Sequence, residues 1–234
     1  MIADAANLHT FVEAFRFIGD NPGLLATKAL EQLELSGAAL GVALAVSLPL
    51  GVVLGHLHRG SALAIGASIV GRALPSLVLI AAFLTILGIG FVNNMVALAV
   101  LATGPILINS FDSVDGVDRD AVEAARGMGM TGFEILREIE LPLALPLLFI
   151  GIRVAAVTVV ATAPIAAEAG GGGLGDIIVN QAHYRLEGVL GASICVMALS
   201  AVVFVALLGM QIAVTPRGLR RTSLGDDPSR KELT

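Results

Sequence analysis

The 234-residue chain has the composition of a membrane protein, since 56% of its residues are hydrophobic and only 14% are charged. A soluble domain carries about 25% charged residues, so most of this chain is expected to face lipid or other apolar helices. The net charge of −5 is small and dispersed, which argues against a nucleic-acid partner, and one cysteine, Cys195, is too few for a disulfide or a cysteine-based metal site.

The first 34 residues mix apolar and charged side chains and predict an interfacial segment. Phe11, Phe15 and Ile18 fall on one helical face. The sequence Asp-Asn-Pro-Gly at 20–23 is typical of a turn, and a second helical stretch follows it. We expect residues 1–34 to lie at the outer membrane surface.

Five apolar segments predict the membrane spans of a transmembrane domain at residues 35–214. Their approximate ranges are 35–56, 62–88, 95–111, 142–167 and 189–213, and the second is expected to be broken by Arg72 and Pro75. A turn is expected at 88–94, and a glycine-rich polar loop at 168–188. The predicted fold is therefore an all-α membrane bundle of five spans, with six as the alternative count.

Residues 118–142 form the only long charged segment between apolar blocks. Helix-forming residues around Glu123 place a carboxylate near a helix start, where the helix dipole favours it. Gly127 and Gly129 then interrupt the helix and permit a tight turn. A second helical pattern continues to Pro142, which is tolerated in the first turn of the next helix. The segment predicts a short helical hairpin that is joined rigidly to the fourth span.

The distribution of lysine and arginine orients the predicted bundle. With the hairpin inside, nine of these residues lie on inner segments, three lie on outer segments, and two lie within spans. The positive-inside rule then favours an outer N-terminus and a cytoplasmic tail at residues 215–234. No internal repeat of the kind found in many secondary transporters is visible.

Two arginines lie within predicted spans. Arg72 and Arg153 are roughly 15 Å from the inner side, near the middle of the membrane. A charged side chain there costs about 3 kcal/mol or more, so both should face the bundle interior or a water-filled cavity. No Asp or Glu occurs in 62–111 or 142–167. Either each arginine ties helices together, or the two arginines line a solute pathway.

A glycine cluster follows the fourth predicted span. Gly170, Gly172 and Gly175 satisfy the pattern G-x-G-x-x-G. A dinucleotide site also requires a preceding strand and a βαβ unit, and here a membrane span precedes the glycines. We therefore expect a hinge, or a tightly packed or re-entrant backbone, at the outer end of the span.

No catalytic or metal-binding group is evident in the sequence. His56 and His58 lie in a short polar turn after the first span, and without a third ligand they predict ordinary loop residues. The sequence contains no P-loop pattern G-x-x-x-x-G-K-[ST], so ATP-driven work would need a separate subunit. We expect no cofactor to be bound by this chain.

Three segments resemble the permease subunits of bacterial ABC importers. The hairpin matches the family signature at every position, namely Glu123, Ala124, Ala125, Gly129, Ile139, Leu141 and Pro142. The segment from Arg72 to Pro75 is similar to the family's Arg-x-Ile/Leu-Pro, and residues 151–155 are similar to its span after the hairpin. Residues 169–177 resemble a glycine loop of importers for osmoprotectants and methionine, with Gly171 where that family usually has alanine or another small residue.

The resemblance implies a permease of the osmoprotectant branch, which imports glycine betaine, choline or carnitine by alternating access. It implies that the loop 112–141 carries a cytoplasmic coupling helix that docks on an ABC ATPase, and that Mg-ATP is used by that ATPase. The implied partners also include an extracytoplasmic solute-binding protein and a second permease subunit, identical or related, in the bacterial inner membrane.

The resemblance implies two sets of candidate residues. The residues expected to couple to the ATPase are Glu123, Ala124, Ala125, Gly127, Gly129, Ile139, Leu141 and Pro142. The residues expected at the pathway or gate are Arg72, Pro75, Arg153, Gly170, Gly172, Gly173 and Gly175.

Other functions remain as alternatives. Within the same class, the cargo could be methionine or another small solute, because the hairpin does not report the cargo. A secondary transporter or channel is the alternative from a different class, and it would predict carboxylates within the membrane for ion coupling. A structural membrane protein would explain the composition but not the hairpin spacing.

Overall fold

The computed structural model describes the backbone of residues 2–215, and the side chains from His9 onward except those of Val70 and Arg72. The tail beyond Thr215, including most of the predicted segment 215–234, lies outside the described residues. The described residues form an all-helical bundle. Its elements are α1 (Ile2–Asp20), α2 (Pro22–His56), α3 (Ser61–Ala73), α4 (Ser76–Leu87), α5 (Phe91–Asp115), α6 (Arg119–Gly127), α7 (Gly132–Ile135), a π-helical turn (Leu136–Glu140), α8 (Leu141–Thr162), a 3-10 helix (Ala163–Ala169), α9 (Gly175–Val179) and α10 (Gln181–Val214).

Four helical segments in the described part of the chain are long and apolar enough to cross a membrane. They are Pro22–His56, Phe91–Asp115, Gly132–Ala169 and Gln181–Val214. The predicted second span, 62–88, forms two shorter helices, α3 and α4, which are separated at Leu74 and Pro75. The break has a local cause, because proline has no N–H and disfavours a helical conformation in the residue before it.

The N-terminal boundary of the first span differs from the predicted one. The predicted turn at 20–23 is reduced to Asn21, because Pro22 fits the first position of a helix. Helix α2 then continues to His56 without a break at residue 34. His56 is therefore helical, and its prediction as a loop residue was wrong.

The prediction of a loop at 168–188 was also wrong in part, because this segment contains α9 and the start of α10. Leu174 and Ile177 are fully buried, in a cluster with Leu25 and Ala192. This apolar burial stabilises helical structure in a segment whose composition suggested only turns. A kink remains at Arg185, where φ is 55°.

Helix α5 lies at the centre of the bundle and contacts α2, α3, α4 and α8. It packs closely against α2, where two glycines face its backbone. A Cβ atom added at Gly51 would lie 2.8 Å from the Leu107 carbonyl oxygen, and one added at Gly55 would lie 2.8 Å from the Phe111 carbonyl oxygen. Residues four apart on α2 thus meet residues four apart on α5, so the two helices run parallel. Small residues permit such close packing within membranes.

This packing predicts a selective loss of stability. The substitution Gly51→Val places a branched side chain against the α5 backbone, and overpacking of this kind costs about 1–3 kcal/mol. Gly41→Val is the matched control on the same helix, because a Cβ atom at Gly41 meets nothing within 4 Å. We expect a lower thermal unfolding midpoint in detergent for Gly51→Val only. Equal midpoints for the two variants would contradict the close packing of α2 and α5.

Candidate functional site

The predicted hairpin is present, and its first helix has defined ends. The Asp118 carboxylate accepts a hydrogen bond from the Asp120 N–H at 3.0 Å and caps α6. At the other end, the Gly129 N–H donates to the Arg126 carbonyl at 3.0 Å. The next N–H, that of Met130, donates to Ala125 at 3.2 Å. With a φ of +88° at Gly129, this is a Schellman motif, which favours glycine at that position.

The second half of the hairpin is continuous with the span that follows. Thr131 and Glu134 form a capping box, in which the Thr131 N–H donates to Glu134 Oε2 at 2.7 Å. Pro142 is the second residue of α8, as predicted, but the chain remains helical from Gly132 onward. A π-helical turn directly precedes α8, and the Leu141 N–H bonds to the Leu136 carbonyl. This wider turn accommodates a proline whose ring would clash with the carbonyl four residues before it in a regular helix.

The coupling candidates divide into inward and outward residues. Ala125 is 1% exposed, and Ile139 and Leu141 are half-buried in the same apolar cluster. Pro142 is half-buried, and the outward candidates are Glu123, Ala124, Gly127 and Gly129. The inward residues hold the hairpin against the bundle, and the outward residues are available to another molecule.

Two exposed apolar side chains were not among the predicted residues. Met128 is 75% exposed and Phe133 is 70% exposed, one on each side of the glycine turn. Large apolar side chains this exposed on a charged hairpin are typical of a contact surface. Phe133 had a sequence signal, since it is an apolar residue within a charged segment.

The glycine loop lies at the opposite end of α2 from the hairpin. Gly170, Gly172 and Gly173 have φ values of +72°, +71° and +78°, a region that other residues rarely adopt. Gly175 is required for another reason, because a Cβ atom there would collide with the Pro164 carbonyl oxygen. The predicted tightly packed backbone is therefore confirmed.

Polar contacts attach this loop to the first part of α2. Lys28 Nζ donates to Glu31 Oε2 at 2.8 Å and to Asp176 Oδ2 at 2.7 Å. The Gly173 N–H donates to the same Glu31 oxygen at 3.0 Å. We call Lys28, Glu31 and Asp176 the loop clamp. It joins α2, the glycine loop and α9 in one network.

Buried amides join the helices that surround the loop. Gln32 Nε2 donates to the Val160 carbonyl of α8 at 2.9 Å. Asn94 Nδ2, near the start of α5, donates to the Ala169 carbonyl at 3.1 Å. Gly171 packs so closely against the preceding 3-10 helix that an added Cβ atom would lie 2.7 Å from the Ala166 carbonyl oxygen. The loop therefore has a defined position relative to α2, α5 and α8.

The second in-span arginine joins two helices. Arg153 Nη1 donates to Gln211 Oε1 at 2.8 Å, and its guanidinium lies 4.9 Å from the centre of the Phe204 ring. Gln211 Nε2 in turn donates to the Pro146 carbonyl at 3.0 Å. These contacts tie α8 to α10. They agree with the alternative that Arg153 ties helices together.

A cavity of about 290 Å³ adjoins the break between α3 and α4. Pro75 forms the extended residue of this break, and the side chain of Arg72 lies outside the described residues. Hydroxyl groups are part of a mainly apolar lining. The residues lining the cavity include Gly71, Leu74, Ser76, Leu101, Thr158 and Thr162.

The contacts that sequence reasoning missed are mostly long-range. Asp176 lies 148 residues from Lys28, and Gln211 lies 58 residues from Arg153. A weak signal existed for the loop clamp, because Lys28 is the only lysine before Lys231 and Asp176 directly follows the last glycine of the cluster.

Comparison with known proteins yields a family match and several full-length relatives. A family model described as binding-protein-dependent transport system inner membrane component matches residues 47–218. The glycine betaine/carnitine/choline transport system permease protein OpuCB of Bacillus subtilis (strain 168) is 36% identical over 205 residues, which cover 87% of this chain and 94% of that protein. The carnitine transport permease protein OpuCB of Listeria monocytogenes is 35% identical over 212 residues, which cover 90% and 97%. The osmoprotectant import permease protein OsmW of Salmonella typhimurium is 32% identical over 215 residues, which cover 89% and 100%.

A solved structure shares the fold. A chain from the inward-facing conformations of the MetNI methionine ABC transporter is similar with a TM-score of 0.71 and 24% identity, over 84% of this chain and 99% of that one. At this level of identity the likeness concerns the arrangement of helices.

The loop clamp generates a prediction about local stability. The substitution Glu31→Ala removes the acceptor of the Gly173 N–H, and a partly exposed contact of this kind contributes about 1 kcal/mol. We expect amide exchange in peptides covering 170–176 to accelerate about fivefold, as measured by hydrogen–deuterium exchange with mass spectrometry. Glu34→Ala is the control, since Glu34 is exposed on the same helix. Unchanged exchange in Glu31→Ala would show that the clamp does not hold the loop.

Proposed function

The chain belongs to the family of binding-protein-dependent transport system inner membrane components, and from this premise we propose that it is the permease subunit of an ATP-driven importer. The proposed cargo is a small compatible solute such as glycine betaine, choline or carnitine. The observation that carries this proposal is the similarity to permeases of these solutes over almost the whole chain, the hairpin included. Methionine or another small solute is the alternative cargo, because a methionine transporter has a chain with the same fold.

The family assignment favours this function over a secondary transporter or channel. A proton- or sodium-coupled carrier would be expected to place carboxylates within its spans. The spans predicted at 62–111 and 142–167 contain no Asp or Glu. We propose that the chain itself is not catalytic and binds no cofactor, and that Mg-ATP is bound and hydrolysed by a separate ABC ATPase.

We propose that the hairpin is the coupling helix that docks on this ATPase. Glu123, Ala124, Met128 and Phe133 are exposed on the hairpin and would provide the contact. Ala125, a buried residue of the signature, would keep the hairpin attached to the bundle. Rigid attachment supports this role, because a docking element must move the spans when the ATPase subunits close.

The proposed location is the bacterial inner membrane, with several spans, the N-terminus outside and the C-terminus in the cytoplasm. The excess of Lys and Arg on the hairpin side supports this orientation. The hairpin and the glycine loop lie at opposite ends of α2, so this orientation places the loop at the outer mouth. We propose that a second permease subunit completes the pathway and that an extracytoplasmic solute-binding protein docks near the loop.

We propose that transport proceeds by alternating access. Movement of the hairpin would reach the glycine loop through α8, which connects the two directly along the chain. The cavity beside Pro75 would form part of the solute pathway, since its hydroxyl groups can replace water around a polar solute. Arg72 and Arg153 are the charged candidates for the pathway, although the Arg153 guanidinium is bonded to Gln211 of α10, which is not among the residues lining the cavity. Gly170, Gly172, Gly173 and Gly175 are the candidates for the gate.

The experiment that tests this function compares a glycine of the hairpin with a glycine outside it. Gly129→Val forces a branched residue to a φ of +88°, whereas Gly41→Val on α2 is the matched control, with negative φ and equally open space around it. We expect Gly129→Val to lose association with the partner ATPase about tenfold or more in a pull-down, and to lose ATP-dependent uptake of labelled glycine betaine. Gly41→Val should retain both.

The outcomes separate the parts of the proposal. ATPase association without uptake of glycine betaine by the unmodified chain would keep the importer function and reject this cargo. Failure of the unmodified chain to bind the ATPase would reject the importer function. Equal loss in the two valine variants would reject the glycine turn as the element that matters.

A further inference from the structure

A hydrogen bond between a histidine and a buried carboxylate joins the end of α2 to the base of the hairpin. His56 is the last residue of α2, and its Nδ1 lies 2.6 Å from Glu140 Oε2. Glu140 is the last residue of the π-helical turn that leads from the hairpin into α8, and it is 1% exposed. Since a carboxylate oxygen can only accept, Nδ1 is the donor in this contact. The Gly132 end of α7 is also close, because a Cβ atom added at Gly132 would lie 3.5 Å from His56 Nε2.

The burial of Glu140 makes this contact specific. A carboxylate removed from water is strongly destabilising unless it is paired and hydrogen-bonded. Among the described residues, His56 is the hydrogen-bonding partner of the Glu140 carboxylate. The neighbouring charged side chains of the turn, Arg137 and Glu138, are exposed. The contact with His56 therefore fixes the end of α2 relative to the hairpin. Breaking it would leave the buried Glu140 carboxylate without a partner, at a high cost in free energy.

A second histidine–carboxylate pair nearby provides an internal comparison. His58 Nδ1 lies 2.7 Å from Asp115 Oδ1, at the end of α5. Both side chains are partly open to solvent, at 39% and 37% exposure. Exposed ion pairs contribute little. This second pair has the same chemistry as the first pair. It differs because it is partly exposed and joins His58 to the end of α5, not to the hairpin.

The two ends of α2 carry the two polar attachments described above. The loop clamp is formed by Lys28 and Glu31 near its start, and the pair with Glu140 is formed by its last residue. Helix α2 is continuous over 35 residues, which corresponds to a length of about 50 Å. Between the clamp and His56, the helix packs along α5 by its glycines and is free of charge from Leu35 to Gly55. Pro49 lies inside α2 and removes one of its internal hydrogen bonds, but the helix continues through it to His56. A continuous helix held at both ends can transmit displacement along its axis.

We propose that His56 and Glu140 are positioning residues that connect the hairpin to α2, and that α2 transmits movement of the hairpin to the glycine loop through the loop clamp. This inference rests on the proposed function, because it takes the hairpin as the element that an ATPase moves. It adds a second route to the one through α8. His56 acts through α2 and Glu140, and neither residue needs to touch the solute.

The test measures transmission directly and needs no knowledge of the cargo. The complete transporter, assembled from this chain, its partner ATPase and the binding protein, is compared with and without a non-hydrolysable ATP analogue. Hydrogen–deuterium exchange in peptides covering 170–176 reports the response of the glycine loop. We expect a nucleotide-dependent change in exchange rate in the unmodified transporter.

The central variant is the double substitution His56→Leu with Glu140→Met. It removes the contact without leaving an unpaired buried carboxylate, so the chain is expected to fold and to bind the ATPase. We expect the nucleotide-dependent change in the loop to fall at least fivefold. The matched control, His58→Leu with Asp115→Met, removes the exposed pair and should retain the full change.

A conservative variant separates positioning from simple packing. His56→Asn keeps an N–H donor at the place of Nδ1, whereas His56→Ala does not. We expect His56→Asn to restore at least half of the nucleotide-dependent change that His56→Ala loses. Equal responses of these two variants would overturn the role of the hydrogen bond.

The remaining outcomes are also decisive. A full response in the His56→Leu, Glu140→Met variant, or no response of the loop in the unmodified transporter, would overturn transmission through α2 and leave the importer function intact. Failure of the unmodified chain to bind the ATPase would overturn the proposed function, and this inference with it.

Discussion

The cost of burying charge in an apolar bundle determines where this chain makes its ionic contacts. The stretch from Leu35 to Gly55 contains no charged residue, and its helix is held in place by close glycine packing against α5. Contacts of charged side chains occur where this stretch ends, with the ion pairs of the loop clamp on one side and the His56–Glu140 hydrogen bond on the other. The central part of α2 therefore depends on shape, and its two ends depend on specific polar contacts.

The hairpin illustrates how one short motif serves two purposes. Ala125 and Ile139 point into an apolar cluster, while Glu123 and Phe133 point outward. The glycine turn between the two helices follows from backbone geometry, since Gly129 adopts a conformation that other residues avoid. The outward residues of the motif form a contact surface, and its inward residues fix the position of that surface.

Local chemistry accounts for what could be predicted from the sequence. The turn at Gly129 and the break before Pro75 follow from single residues, and the long apolar segments follow from composition. The helices within 168–188 could not be predicted, because Ile177 is buried by residues as distant as Leu25. The contact of Arg153 with Gln211 likewise depends on tertiary packing, which local patterns do not contain.

Gly171 has a consequence for exchanging parts between related proteins. Its α-carbon is pressed against Ala166 in the preceding 3-10 helix, so that even a methyl group would meet the backbone there. A loop carrying alanine at this position could not be transplanted alone. In a chimaera, residues 163–169 would have to be exchanged together with the glycine loop, and the two segments thus form one transferable module.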